Sequence, residues 1–337
     1  MTNTDTTSSP LPVAVIGCGR MGRLHARVYS QIPQVKLVGV YDANLESAKA
    51  TASEYGGEGF DSIDRLLDRA RAVTIATPTT THLALATACI TRGVACLVEK
   101  PLAKDVAEAR QIADLARQHN VTVQVGHIER FNPAVRAMAR LNVAPRFMEV
   151  IRISPLTFRS IDVGVVLDMM IHDIDIILNL AGSPVKTVDA VGVAVIGEHE
   201  DVCNARLTFD NGCVANLTAS RLALKTERKL RVFSPEAYVS IDYQKRHGML
   251  VRKGPNMAAV RDAVAAMKRG ETHDLSGLNP DGLVEMEELA IDDVEPLRAE
   301  LDAFIESVTT GQRPHVNADD GLAAVETATR IVQAITR

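Results

Sequence analysis

A chain of 337 residues is long enough for about two domains, each with a core of its own. Its composition is ordinary for a globular protein, 46% apolar and 23% charged, and a net charge of -5 with no run of Lys or Arg excludes a basic nucleic-acid-binding surface. No apolar stretch approaches the roughly 18 residues of a membrane span, so neither nucleic acid nor a membrane is an expected partner.

Residues 1–10 are rich in Thr and Ser, lack the basic start and apolar centre of a signal peptide, and read as a disordered tail. A β-rich run at 13–16 leads into Gly17-Cys18-Gly19-Arg20-Met21-Gly22, followed by an amphipathic helix with Leu24 and Val28 on one face. In a strand–turn–helix setting Gly17 makes the turn, Gly19 lets the backbone approach a pyrophosphate at the helix N-terminus, and Gly22 permits close packing. Arg20 and Met21 lie in the same turn and count among the cofactor contacts. A second strand at 35–40 ends near Asp42, twenty residues past Gly22, where a carboxylate receives ribose hydroxyls and repels a 2′-phosphate. That combination points to NAD.

Helix and strand signals then alternate: a helix at 44–55, a short helix capped by Ser62, and a strand at 72–76 running into Thr77-Pro78-Thr79-Thr80-Thr81-His82. Thr77, Pro78, Thr79 and His82 are expected cofactor contacts because this loop follows the carboxyl end of a strand, although threonines there also serve as helix caps. The apolar run 94–98 stops at Glu99-Lys100-Pro101, which delivers an acid and a base to the sheet edge where α/β proteins keep their chemistry. Lys100 is either a salt-bridged strand end or a proton-exchanging group. A helix at 105–119 and a strand at 121–125 lead to Gly126-His127, which ends the nucleotide-binding domain, 11–127, beside the crevice. In the run 128–133, Arg130 and Asn132 could hold a substrate, or Glu129 and Arg130 could form an interdomain ion pair, and a helix opens at Asn132 or Pro133.

Beyond residue 146 the pattern changes to alternating runs at 147–153, 185–196, 202–209, 213–219, 229–233 and 238–243, with Asp210-Asn211-Gly212 as a hairpin turn. Strands without intervening helices imply a large, mainly antiparallel open sheet, and apolar residues on both faces favour a homo-oligomer, dimer or tetramer, formed through it. The second domain is thus α+β and runs over 128–337, with the final helix able to pack back on the first. Its exception is a helix-period segment, 162–180, in which Asp168 and His172 stand four apart among apolar neighbours. An acid beside a His orients a proton carrier; no third ligand stands at metal spacing, so no metal is expected. Residues 254–282 hold an amphipathic helix at 257–268 and a polar loop, a lid, an oligomer contact or a disordered segment. Helices at 295–310 and 319–336 close the chain. The five cysteines show no metal or redox spacing, which suits reduced buried thiols in a cytoplasm.

Taken in order, Gly17-x-Gly19-x-x-Gly22, Asp42, the Thr77-Pro78 loop with His82, Glu99-Lys100-Pro101, Arg130-Phe131-Asn132-Pro133, Asp168-x-x-x-His172 and Gly311-Gln312-Arg313-Pro314 resemble the glucose–fructose oxidoreductase / inositol dehydrogenase / rhizopine catabolism family, Gfo/Idh/MocA. The resemblance implies an N-terminal Rossmann domain, NAD as cofactor, a C-terminal α+β domain, and Lys100, Asp168 and His172 as the active-site lysine, aspartate and histidine. Met170 departs from the pattern, since many members carry Gly two residues before the His. Within the family, the 126–133 run and Asp162-Val163-Gly164 are most similar to the branch that oxidises the 3-hydroxyl of UDP-N-acetylglucosamine or related nucleotide sugars. Such a diphosphate substrate would be met by cations, with Arg130, Arg159, Arg221 and Lys225 as candidates. Substrate contacts are accordingly expected from Lys100, Arg130, Asn132, Arg159, Asp168 and His172, and cofactor contacts also from Glu99, Lys100 and His127. A dehydrogenase of a free sugar or inositol and a non-catalytic NAD-sensing regulator are the alternatives.

Overall fold

A computed structural model describes residues 9–157, 163–270 and 282–335. The expectations for the tail at residues 1–8, for Arg159, for the start of the segment at residue 162 and for the polar loop at 271–281 lie outside the described residues. Chain contacts form two compact units, residues 1–131 with 294–330 and residues 132–293 with 331–337.

The first unit alternates strand and helix: β1 (Leu11–Ile16), α1 (Arg20–Tyr29), β2 (Val35–Tyr41), α2 (Leu45–Tyr55), β3 (Glu58–Phe60), α3 (Ile63–Leu67), β4 (Ala72–Ile75), α4 (His82–Thr91), β5 (Ala95–Glu99), α5 (Val106–His119) and β6 (Val123–Gly126). Its parallel sheet has the order β3-β2-β1-β4-β5-β6, a doubly wound sheet that changes direction between β1 and β4. The apolar runs are continuous because both faces are covered. Val13 and Val15 pack with Leu37 and Leu97 on one face, while Ala14 and Ile16 pack with Ile75 and Val98 on the other. Asn44, Ser62 and Asp105 each accept a backbone N–H in the first turn of α2, α3 and α5, which starts those helices where the sequence signals place them.

The second unit contains α6 (Pro133–Ala139), β7 (Phe147–Ile153), a π-turn (Val166–Met170), α7 (Ile171–Ala181), β8 (Val185–Val193), β9 (Val202–Phe209), β10 (Val214–Ser220), β11 (Glu227–Phe233), β12 (Ala237–Asp242), β13 (His247–Lys253), α8 (Met257–Lys268) and β14 (Val284–Glu288). Eight strands form one sheet in the order β14-β13-β12-β11-β7-β10-β9-β8. The β7–β10 pair is parallel and the other pairs are antiparallel. Along β10 Ala215, Leu217 and Ala219 are buried and the alternate residues half-buried, so the sheet has one packed face. The five cysteines are buried and unbridged.

Two more helices, α9 (Pro296–Thr310) and α10 (Ala318–Ile335), close the chain. The sequence predicts a second domain running to the end, with only the final helix returning. Instead all of α9, and α10 through residue 330, fall in the first unit. The reason is their apolar faces: Leu297, Leu301 and Phe304 join one core of the parallel sheet, and Leu322 and Val325 join the other. Among the described residues no helix is long and apolar enough to cross a membrane.

Candidate active site

Three glycines shape the turn between β1 and α1, for different reasons. Gly17 has φ of 99°, which favours glycine, and a Cβ there would run into the Ala76 carbonyl. At Gly22 a Cβ would collide with the Gly17 carbonyl. Gly19 differs: no described atom lies within 4 Å of a Cβ built there. The protein's own packing therefore does not demand glycine at 19, and the open space at the helix start is what a dinucleotide backbone needs. No side chain of the described residues caps α1 and its first turn carries no acid, which leaves the positive end of the helix to an anion. Arg20 is exposed and Met21 half-buried beside it. Asp42, half-buried past the end of β2, accepts the Cys18 N–H at 2.7 Å and the Asn44 N–H at 2.9 Å, one on each carboxylate oxygen. Each oxygen keeps a second lone pair, so the carboxylate can still receive ribose hydroxyls. These residues fit the dinucleotide that the motif implies.

The loops after β4 and β5 are tied together by His82. Its Nε2 is 3.0 Å from the Thr77 carbonyl and its Nδ1 3.0 Å from the Pro101 carbonyl, and the residue is 1% exposed. His82 thus lies between two loops and donates to one carbonyl or the other according to which ring nitrogen carries the proton. Thr77 and Thr81 hydroxyls are 2.7 Å apart, and Thr81 also donates to the Pro78 carbonyl, so part of the threonine chemistry caps the turn. Thr79 is half-buried and Pro78 exposed. At the end of β5 the Lys100–Pro101 peptide is cis. Lys100 is half-buried, whereas Glu99 is buried, accepts the Lys100 N–H at 3.2 Å and lies 2.9 Å from His25 Nε2. His127 is fully buried just past β6, and Arg130 is half-buried.

In the second unit Asn132 is buried and accepts the Ala134 N–H at 3.1 Å. That makes it the cap of α6, with Pro133 in the first turn as the sequence predicts. The segment read as one helix is a π-turn carrying Asp168, joined to α7, whose second residue is His172. π-turns within helices recur at functional sites because the extra residue redirects a side chain at the expense of regular hydrogen bonding. Asp168 and His172 are both half-buried, while Val166, Met170, Ile171, Ile174 and Ile177 are buried together with two acids, Asp173 and Asp175.

Two anchors hold that segment. Arg152 on β7 reaches Asp173, next to His172, with Nε–Oδ2 at 2.7 Å and Nη2–Oδ1 at 2.9 Å, both residues buried. Glu200 accepts the Val165 N–H on its main-chain oxygen at 2.9 Å and the Val166 N–H on its carboxylate at 3.1 Å. Neighbouring Asp201 is buried. Burial opposes its ionisation, but the N–H groups of Ile196 and Val195 and the Arg221 guanidinium outweigh it and hold the carboxyl below its usual range.

Arg221, a candidate for a substrate phosphate, is corrected by this arrangement: it is buried, 3.3 Å from Asp201, and donates to the Val163 carbonyl. Lys225 differs: it pairs with Glu227 at an exposed position, where such a pair is weak. Sequence reasoning missed His25, Arg152, Asp173 and Glu200. His25 had a faint signal, a polar residue three past Gly22 on the buried face of α1. Glu200 had none, being 34 residues from the N–H it caps.

A profile described as an oxidoreductase family with an NAD-binding Rossmann fold (Gfo/Idh/MocA) matches residues 11–127, and the profile of the family's C-terminal domain matches residues 154–240. The UDP-N-acetylglucosamine 3-dehydrogenase of Acidithiobacillus ferrooxidans is 40% identical over 261 residues, covering 76% of this chain and 83% of that protein. A solved structure of the same-named enzyme, GnnA from that organism, has a TM-score of 0.85 and 32% identity over 97% of this chain and 98% of its own. An inositol 2-dehydrogenase from Rhizobium meliloti is 25% identical over 95% of this chain and 96% of its length.

Proposed function

Since the chain belongs to the Gfo/Idh/MocA oxidoreductase family, we propose that it uses NAD to oxidise the 3-hydroxyl of UDP-N-acetylglucosamine or a closely related nucleotide sugar. The observation that carries the substrate is the 40% identity across 83% of a UDP-N-acetylglucosamine 3-dehydrogenase.

Bound NAD would supply the acceptor for the hydride from the ring carbon. The open space at Gly19 and the uncapped start of α1 receive its pyrophosphate, and Asp42 receives the adenosine ribose while disfavouring a 2′-phosphate. The hydroxyl proton goes to Lys100 or His172, with Asp168 orienting the pair. Such a step contributes about 10²- to 10⁴-fold in rate. Arg130 and Arg159 are the cations for the diphosphate. Thr77, Pro78 and Thr79 complete the cofactor surface, Glu99 and His127 back it from buried positions rather than lining it, and His82 shapes it through the carbonyls beside its ring. We place the enzyme in the cytoplasm, working as a homo-oligomer through the open face of the eight-stranded sheet, where Val191 and Val193 of β8 are exposed.

The test is a substrate panel of UDP-N-acetylglucosamine, inositol and common hexoses, followed by NADH absorbance. Turnover on the nucleotide sugar with no comparable rate on the others supports the reading. A preference for inositol or a free hexose moves the substrate to that class, and NAD binding without turnover on any polyol leaves a sensor.

A further inference from the structure

Behind Lys100 lies a buried polar chain that the proton chemistry above does not use. His25 on α1 is fully buried. Its Nε2 is 2.9 Å from Glu99 Oε1 and its Nδ1 is 3.2 Å from the Thr74 hydroxyl on β4, which lies 3.0 Å from the Tyr29 hydroxyl. At the far end, Glu99 Oε2 accepts the main-chain N–H of Lys100 at 3.2 Å. Gly126 on β6 makes room, since a Cβ there would come within 3.0 Å of the Glu99 carboxylate. The carboxylate of Glu300 on α9 joins the group, with donor atoms of His25, Glu99 and Glu300 all within 4.8 Å of one another.

The hydrogen-bond inventory gives this chain a direction. An ionised Glu99 can only accept, so His25 donates from Nε2. With the proton on Nε2, Nδ1 is left to accept from the Thr74 hydroxyl, whose oxygen can in turn accept from Tyr29. Burial pushes the Tyr29 hydroxyl well above its ordinary range, in spite of the Thr74 hydrogen bond, which keeps it a donor. Both ring nitrogens of His25 are thereby committed to protein partners, which argues against a metal between the three groups. Polar groups buried this deeply stabilise a fold no better than apolar packing of the same volume, but they do fix orientation.

We propose that His25 is a positioning residue for Lys100: it holds one oxygen of Glu99 so that the other fixes the Lys100 main chain at the end of β5. The proposal deepens the reading of Lys100 as an active-site group and rests on it. Loosening the strand end by a fraction of an ångström misplaces the amine, and a misplacement of about 1 Å costs on the order of 10²-fold in rate.

The experiment compares wild type, Lys100→Ala, His25→Ala and His25→Gln, with turnover normalised to the NADH-binding sites in each preparation. The amide nitrogen of Gln falls near the His Nε2 position and can donate to Glu99. His25→Ala should lower kcat about 10- to 100-fold with little change in KM for NAD, and the deuterium isotope effect from a sugar labelled at the oxidised carbon should rise. His25→Gln should recover most of the loss. A purely structural role would reduce the folded fraction without moving kcat per site or the isotope effect. Wild-type kcat in His25→Ala, or equal losses in Ala and Gln, overturns the proposal while an inactive Lys100→Ala leaves the reading of Lys100 standing. Full turnover by Lys100→Ala, or none by wild type, overturns both. If His25→Ala fails to fold, Thr74→Val removes only the hydroxyl behind the imidazole; a several-fold fall in kcat per site supports the proposal and an unchanged kcat overturns it.

Discussion

Gly19→Ala should separate cofactor binding from folding. The backbone at Gly19 has φ of -67° and ψ of -170°, which any L-residue adopts, and no described atom lies within 4 Å of the new methyl. Alanine is the poorer helix cap by about 0.5–1 kcal/mol, and it restricts the unfolded chain by about 0.4–1 kcal/mol in the opposite sense. The two nearly cancel, so the apo protein should melt within about 2 °C of wild type. The methyl does occupy the space expected for the pyrophosphate. A clash worth about 1–3 kcal/mol weakens binding roughly 5- to 150-fold, since each 1.4 kcal/mol is tenfold. Gly22→Ala is the contrast, because its methyl would collide with the Gly17 carbonyl and should prevent stable folding. Thermal melts without NAD, paired with NADH fluorescence titration, check both. Undiminished NADH affinity in Gly19→Ala would refute the placement of the dinucleotide on this turn.

Lys100→Ala and His172→Ala should each lower kcat by about 10²- to 10⁴-fold while NADH still binds in a fluorescence titration, and the larger loss identifies the residue that takes the proton. Arg152→Met strips a buried Asp173 of its guanidinium and should destabilise the second unit by about 3–5 kcal/mol, read as a lower denaturation midpoint. Adding Asp173→Leu should restore much of that stability, because the uncompensated charge is then gone. Burial pushes the Cys89 and Cys203 thiols up to about 12 and the Cys96 thiol well above 9.0, so a thiol reagent at pH 8 should label these three only after denaturation. The linked stability has a definite sign. The folded Cys89 stays neutral while its unfolded counterpart ionises near 9.0, so its contribution is complete below pH 9 and is lost as pH rises from 9 towards 12. The slope is about 1.4 kcal/mol per pH unit, measurable by denaturant titration at stepped pH.

The nucleotide-binding unit was largely legible because each of its signals is local. Continuous apolar runs, caps at Asn44, Ser62 and Asp105, and the glycine spacing all act within a few residues of the structure they specify. In the second unit β7, β9 and α8 fall on the residues that the alternation and periodicity indicate. β14 was not legible: Val284–Glu288 alternates over only four residues, is mostly acidic and exposed throughout, and pairs only as a sheet edge beside β13. The π-turn at Asp168 was hidden because π and α turns demand the same apolar spacing over so short a span. The return of α9 to the first unit could not be read either, since an amphipathic face does not reveal which sheet will cover it. Polar partners distant in sequence, Arg152 with Asp173 and His25 with Glu99, exist only once the fold brings their strands and helices together. Arg221 shows the converse, a charge that reads as a phosphate contact until burial against Asp201 accounts for it.

The most direct test of the account is single-turnover reaction of the wild-type chain with NAD and UDP-N-acetylglucosamine carrying deuterium at carbon 3. Deuterium recovered in the reduced nicotinamide, together with a 3-keto nucleotide sugar in the product mixture, is the result expected. Reduced nicotinamide without deuterium, or no reduction with this substrate while inositol or a free hexose is oxidised, would contradict it.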